Sequence, residues 1–322
     1  MERPTYAEAA RDALAAAMAD DPRVVVLGED VGRGGIFGQY AGLQARFGPQ
    51  RVVDTPISES TIAGAGVGLA LTGCRPVVEM RVVDFALCAM DEIVNQAAKN
   101  RFMFGGQGRV PLVLRMPIGI WTASAAQHSQ SLEAWFAHLP GLVVVAPATA
   151  ADNASLLRAA IDLDDPVAYL EHKELWGQRD ADALPGADTA SARLGRARVV
   201  RPGSDLTIVS WSRQLHWALD AAAMLAAQGV AAEVIDLATL WPWDRDTVLA
   251  SVARTGRLLV THEAVQVAGF GAEIAATAAE VIGCKVRRAA APRIPVGYAQ
   301  VLEEASRVRA PAIAAAALEL LR

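Results

Sequence analysis

Short apolar runs alternate with helix-like segments along nearly the whole chain, and no other feature constrains the fold as much. Val24–Leu27, Pro76–Met80, Leu112–Arg115, Leu142–Ala146 and Val167–Glu171 are short and mostly apolar, as strands buried on both faces are. Helix-like stretches lie between them. The first opens at Thr5-Tyr6-Ala7-Glu8, a capping-box pattern, and runs to about Ala19. Others span Ile62–Leu71, Asp84–Phe104, Leu132–His138 and Ala151–Leu163. Such alternation predicts an α/β fold, with a mostly parallel sheet covered by helices on both faces.

The pattern lapses between Gly177 and Ser204, where Gly, Pro, Asp, Ser and Arg crowd together with weak periodicity. That is the composition of a connection between domains. Alternation resumes with strands at Leu206–Ser212, Ala231–Leu237, Arg257–His262 and Val286–Ala289, and helices at His216–Gln228, Asp244–Thr255 and Gly271–Val281. Two units are therefore expected, residues 1–185 and a smaller one over 204–322, with a linker at 186–203. Of the 322 residues, 53% are hydrophobic and 20% charged, which is ample for two cores and rules out disorder. The 30 basic and 35 acidic residues include no Lys/Arg-rich run, so no nucleic-acid surface is expected. Cys74, Cys88 and Cys284 lack metal or disulfide spacing, which fits a reducing cytoplasm. The segment MERPTYAEAARD lacks a secretory core, and no apolar run reaches the ~20 residues that span a bilayer. No membrane partner is expected.

Asp54-Thr55-Pro56-Ile57-Ser58-Glu59-Ser60 leads into a helix with Gly64, Gly66 and Gly68 spaced two apart. Glycine costs about 1 kcal/mol against alanine in a helix interior, so close approach of another helix or chain is the simplest reason for three. Glu59 then sits at a tight contact near a helix N-terminus, or else is a solvated entrance residue favoured by the helix dipole. A dinucleotide fingerprint fails, because GxGxxG from Gly64 needs glycine where Leu69 stands. The glycine-rich stretch Gly28–Gly35 follows the first strand, at the end where open α/β sheets bind ligands. His128 can exchange protons near neutral pH, or serve as a hydrogen-bonded structural histidine. His262-Glu263 ends a strand and Gly269-Phe270-Gly271 opens a helix, which suits an anion or partner contact or a plain turn.

Five longer strings sharpen this picture: LGEDVG (27–32), DTPISE (54–59), AMDEIVNQAAKNRFMFGG (89–106), AAQHSQSLEAWFAHLPGLVVVAP (125–147) and GRLLVTHEAVQVAGFGAEIA (256–275). In order and spacing the chain resembles the β subunit of the thiamine-diphosphate-dependent decarboxylase component of 2-oxo acid dehydrogenase complexes, the pyruvate, branched-chain and acetoin types. The resemblance implies a transketolase-like architecture, with a pyrimidine-binding domain over 1–185 and a C-terminal transketolase-type domain over 204–322. It implies an α2β2 heterotetramer in which the α subunit holds the diphosphate and Mg2+ of a shared cofactor. The implied activity is decarboxylation of a 2-oxo acid such as pyruvate and passage of the acyl unit to a lipoyl acyltransferase or another carrier protein. Half of a split transketolase-type two-carbon transferase, or a non-catalytic scaffold subunit, are the alternatives.

The same resemblance assigns residues. Thiamine diphosphate must lose the proton on its thiazolium carbon. A carboxyl group bonded to the pyrimidine ring drives the tautomer that removes it, and Glu59 matches that carboxyl. Ile57 and Phe85 match positions that pack on the aminopyrimidine, and Cys88 stands where the pyruvate enzymes often carry glutamine. Glu29 matches an acidic residue of the glycine-rich turn, part of an acidic network linking two sites. His128 matches a histidine near the thiazolium carbon. The backbone carbonyls of Leu112, Ala160, Ile161, Leu163 and Asp165 match a structural K+ site. Two departures stand out. The loop 116–126, usually glycine-rich, reads MPIGIWTASAA, so that Trp121 and Thr122 bring bulk or polarity toward the reacting carbon; and Ala238 stands where an arginine is usual.

Overall fold

The computed structural model describes residues 3–179 and 193–322. The chain opens with α1 (Tyr6–Asp20), closed by the expected capping box: Glu8 N donates to Thr5 Oγ1, and Thr5 N donates to Glu8 Oε2 at 2.7 Å. Then follow β1 (Val24–Gly28), α2 (Leu43–Phe47), β2 (Val52–Asp54), α3 (Glu59–Leu71) and β3 (Arg75–Glu79). A 3-10 segment over Val83–Ala89 and a π segment over Glu92–Ala97 lead to α4 (Asn100–Met103). The first unit finishes with β4 (Val113–Arg115), α5 (Glu133–Ala137), β5 (Val143–Val145), α6 (Ala150–Asp162) and β6 (Val167–Tyr169).

The second unit comprises β7 (Arg198–Arg201), β8 (Leu206–Ser210), α7 (Ser212–Ala226), β9 (Ala232–Asp236), β10 (Thr239–Trp241), α8 (Arg245–Thr255), β11 (Arg257–Val265), α9 (Gly271–Ile282), β12 (Lys285–Ala291), α10 (Gln300–Ala305) and α11 (Ala310–Leu321). Its sheet has the order β12-β11-β8-β9-β7, parallel except for the antiparallel edge strand β7. The first sheet runs β10-β5-β6-β4-β3-β1-β2 and is parallel except for β10. The expected α/β class, with a mostly parallel sheet, therefore holds in both units. Among the described residues no helix is long and apolar enough to cross a membrane.

The elements α2, β2, α10 and α11 are not among those expected, and three further departures bear on the layout. Of the linker expected at 186–203, residues 186–192 lie outside the described residues, and the remainder contains β7, a strand of the second sheet. Strand β10 belongs by sequence to the second unit but pairs with β5, Thr239 opposite Val145. The continuous helix expected over Asp84–Phe104 is instead a chain of 3-10, π and α turns. Its buried positions Ala86, Ala89, Ile93 and Ala97 keep a helix-like spacing. That spacing does not tell one winding from another, and short strands are recognised by partners rather than by their own residues.

The units are not independent bodies. One apolar cluster runs from Leu27, Val78 and Leu114 in the first to Val209, Ile235 and Val260 in the second. Arg198 of β7 also bridges Asp152 at the start of α6, at 2.5 Å, and Asp236 at the end of β9, at 2.8 Å.

The glycines of α3 separate into two roles. A Cβ at Gly66 would lie 2.7 Å from Val78 Cγ2 and 3.1 Å from Leu112 Cδ1, so this glycine lets the helix lie close on the sheet. A Cβ at Gly68 meets nothing within 4 Å. In the isolated chain, Gly68→Ala is expected to raise stability by about 1 kcal/mol, whereas Gly66→Ala is expected to lower it by about 1–3 kcal/mol. Urea denaturation of the two variants checks this, and stabilisation by both would refute the packing account.

Candidate active site

Strands β1, β2, β3, β4 and β6 are mutually parallel, so their carboxyl ends share one edge of the sheet. The loops leaving that edge carry most of the candidate residues. Gly28, the last residue of β1, lies opposite Glu79 of the parallel strand β3, and a Cβ there would lie 2.8 Å from both Cβ and O of Glu79. Glu29 follows, paired with Arg81 at 2.5 Å, and Arg81 itself holds a left-handed backbone at φ 58°. Thus the acid expected in the glycine-rich turn is tied to the end of β3.

Glu59 is the first residue of α3, half-buried, and among the described residues no group bonds its carboxyl. Ile57, two residues before it, is 71% exposed. A large apolar side chain and an unpaired carboxyl side by side on an edge of this kind form a surface that suits a partly apolar, hydrogen-bonding ring. Phe85 meets the ring of His128 edge-on, centroids 5.2 Å apart. Cys88 lies exposed in the same 3-10 segment as Phe85.

His128 is exposed, but its backbone is held. Its carbonyl accepts from Lys173 Nζ, and its N–H donates to Ala125 O at 3.3 Å. Lys173 is buried, which lowers its amine to about 8 against the opposing pull of Asp84, Glu263 and Glu303. Asp84 accepts from Gln130 Nε2 at 2.7 Å, a second tie to the same loop. The departure from a glycine-rich loop proves conformational as well as chemical. Thr122, Ala123 and Ala125 all sit at positive φ, 42°, 55° and 61°, each at a cost of roughly 1–2 kcal/mol. Trp121 packs edge-on to Phe37 at 5.0 Å and beside Trp176 at 6.2 Å, so its bulk anchors the loop to the glycine-rich turn.

The second unit reaches this loop directly. Glu263 Oε1 accepts from Ile120 N at 2.8 Å and from His172 Nε2 at 3.0 Å. His172 Nδ1 accepts from Glu174 N, which fixes the proton on Nε2. Burial alone would raise Glu263, but His172, the Ile120 amide and Arg307 bring it down to about 2. Glycine is required at position 119, where a Cβ would lie 2.0 Å from His172 Nε2. The Gly269-Phe270-Gly271 segment also has a packing reason: Cβ atoms at the two glycines would lie 2.6 and 2.7 Å from the His262 ring. Of the groups that fasten this loop, Glu263 lies in the His262-Glu263 strand end that the sequence already marks, whereas His172 and Lys173 escape a reading by motif, because their signal is only a polar residue beyond an apolar strand.

The carbonyls proposed for K+ lie at the other edge, where β4 and β6 begin. Arg75 Nη1 donates to Ile161 O at 2.9 Å and to Leu163 O at 2.8 Å. A guanidinium thus takes two of the five oxygens, while Leu112 O accepts from Val167 N at 2.8 Å and Ala160 O from Leu163 N at 3.3 Å.

Glu133 marks the seam between the units. It is 1% exposed, accepts from Trp211 Nε1 at 3.3 Å, and its Oε2 has no partner among the described residues. Burial pushes its carboxyl up to about 7. A raised carboxyl adds stability below its ordinary range and loses it as pH climbs through 7. Glu133→Gln is expected to stabilise the fold by about 2 kcal/mol more near pH 8 than near pH 5.5. Thermal melts at the two pH values test this; an equal effect at both would refute it.

Comparison with known proteins agrees with the fold and identifies the family. Residues 2–178 match the family described as transketolase, pyrimidine binding domain, and residues 195–313 match transketolase, C-terminal domain. A pyruvate dehydrogenase E1 component subunit beta of Rhizobium meliloti is 44% identical over 93% of this chain and 66% of that protein. The beta subunit of an acetoin:2,6-dichlorophenolindophenol oxidoreductase of Cupriavidus necator is 40% identical, covering 98% of this chain and 96% of that one. A 2-oxoisovalerate dehydrogenase subunit beta of Bacillus subtilis is 39% identical, covering 98% of each. A solved structure titled "Split gene transketolase, inactive beta4 tetramer" superimposes with a TM-score of 0.84 at 24% identity, over 99% of this chain and 98% of that one, a likeness of fold.

Proposed function

Because the chain belongs to the transketolase-type family of E1 β subunits of 2-oxo acid dehydrogenases, we propose that it supplies the pyrimidine-binding half of a thiamine-diphosphate-dependent 2-oxo acid decarboxylase and acyl transferase. The observation that carries this is Glu59: a carboxyl without a partner among the described residues, at the first turn of α3, on the sheet edge that also holds Ile57, Phe85 and His128.

Bound thiamine diphosphate supplies the electron sink that decarboxylation needs. Glu59 holds a proton against the pyrimidine ring, and Ile57 and Phe85 flank the ring with apolar surface. His128, carried on a fastened loop, moves a proton to or from the reacting substrate. Glu29, paired with Arg81, keeps negative charge on the neighbouring turn. Cys88 adds a small side chain where a longer one is usual. An α subunit holds the diphosphate and Mg2+ in an α2β2 assembly, and a lipoyl domain or another carrier protein takes the acyl group. The three free cysteines fit a reducing cytoplasm.

The test is co-expression with an α subunit and assay with pyruvate, branched-chain 2-oxo acids, acetoin and ketose phosphates, read by dye reduction. Turnover of a 2-oxo acid is expected; turnover of ketose phosphates alone would favour a split transketolase, and a cofactor-loaded but inert complex a scaffold. Glu59→Gln is expected to lower decarboxylation about 10²–10⁴-fold, and His128→Ala to lower decarboxylation or acyl transfer by a similar factor. Full activity in either variant would remove that residue from the site.

A structural K+ at the carbonyls of Leu112, Ala160, Ile161, Leu163 and Asp165 completes the proposal. Exchanging K+ for Na+ at constant ionic strength is expected to lower the Tm of the complex by roughly 2–4 °C. No change would leave that turn to Arg75, Arg101 and Arg109, which already reach Ile161, Leu163, Asp164 and Asp165.

A further inference from the structure

The loop that carries His128 is fastened from outside its own domain. Ala123 N donates to Glu303 Oε2 at 2.6 Å, and Ile120 N donates to Glu263 Oε1 at 2.8 Å. Both carboxylates belong to the second unit, Glu303 on α10 and Glu263 on β11. Arg307 holds the arrangement together, reaching Glu303 Oε1 at 3.3 Å, Glu174 at 2.8 Å and the Ile120 carbonyl at 3.4 Å. Glu303 is buried, 6% exposed, and Glu263 is mostly covered, its side chain 9% exposed, so these are charge-assisted bonds in poorly hydrated surroundings.

The attachment point matters more than the bond count. Ala123 lies in the middle of the left-handed stretch Thr122, Ala123, Ala125, which alanine and threonine do not adopt unaided. A backbone amide fixed in that stretch decides its course. Ala125 O then accepts the His128 amide, passing the conformation on to the histidine three residues later.

We propose that Glu303 is a positioning residue for His128: its carboxylate oxygen, at the Ala123 amide, holds the loop in the conformation that presents the imidazole, with Glu263 as a second fastening at Ile120. This rests on the role given to His128 above. A transketolase-type C-terminal domain in this chain therefore takes part in the active-site geometry of the first domain as well as covering it.

Two substitutions separate reach from charge. Glu303→Gln keeps an acceptor oxygen at the same reach but removes the charge that faces Arg307. Glu303→Asp keeps the charge but withdraws the oxygen by one methylene. Both are examined in the assembled αβ complex by hydrogen exchange of the 119–128 backbone and by steady-state kinetics. With Asp, exchange in 119–128 is expected to rise about tenfold while α3 is unaffected, and kcat to fall about tenfold with KM for the 2-oxo acid nearly constant. With Gln, which keeps the acceptor but not the charge, both quantities are expected to change by about threefold, less than with Asp. The reverse order, with Asp like the parent and Gln loosened, would overturn the proposal and leave an ion pair with Arg307. Unchanged exchange with Asp would overturn it as well. A loosened loop with undiminished turnover would support the clamp and refute the role of His128, so the two failures are distinguishable.

Discussion

The carboxyl edge of the first sheet stands on one buried ion pair, Arg115 with Glu171. The guanidinium donates to both carboxylate oxygens, at 2.7 and 2.9 Å, and both residues are excluded from water. They are the last residue of β4 and the second residue beyond β6, so the pair ties together the two strands whose loops carry His128 on one side and His172 and Lys173 on the other. Around it the polar atoms are knitted further. Asn153 donates to Glu171 at 2.8 Å, Tyr169 OH donates to Asn153 Oδ1 at 2.9 Å, and the Tyr40 ring lies under Arg115 while its hydroxyl donates to Glu79 at 2.5 Å. Such a pair adds little net stability over an apolar replacement. Losing one member alone, however, strands a buried charge at a cost of about 3–5 kcal/mol. The strand ends are consequently held in a single arrangement, and the loops leave them in fixed directions.

From that base the site is assembled by the second domain as much as by the first. Strand β10 extends the first sheet, Arg198 joins Asp152 to Asp236, and Glu263 and Glu303 grip the loop before His128. His172 connects the two halves, because its single ring proton is directed at Glu263 by the Glu174 amide on the other nitrogen. The resulting edge pairs a rigid scaffold with exposed functional groups. Ile57, Cys88 and His128 face outward, and Glu59 is partly open. These are the groups that the proposed function gives to the cofactor and the α subunit.

The loop before His128 holds left-handed backbone at residues other than glycine. A glycine-rich loop reaches left-handed conformations without strain. Here Thr122, Ala123 and Ala125 hold them against their preference, and the two carboxylates together with the Trp121 ring keep the loop in place. Strain of this kind survives only where surrounding contacts over-determine the backbone.

The sequence by itself determined the α/β class, the two units, most strand and helix positions, and the family strings that make Glu59 and His128 candidates. These are properties of local pattern: short apolar runs, the capping box at Thr5, and the strings around Glu59 and His128. The tertiary structure alone decided that β10 crosses to the first sheet, that β7 forms an edge inside the expected linker, and that the stretch over 84–104 winds in three ways. It alone brought Glu263 and Glu303 to amides 143 and 180 residues away. Pattern along a chain records which faces must be buried. It does not record which distant carboxylate meets which amide, because that contact is set by how two cores pack, and its two partners leave no periodic trace.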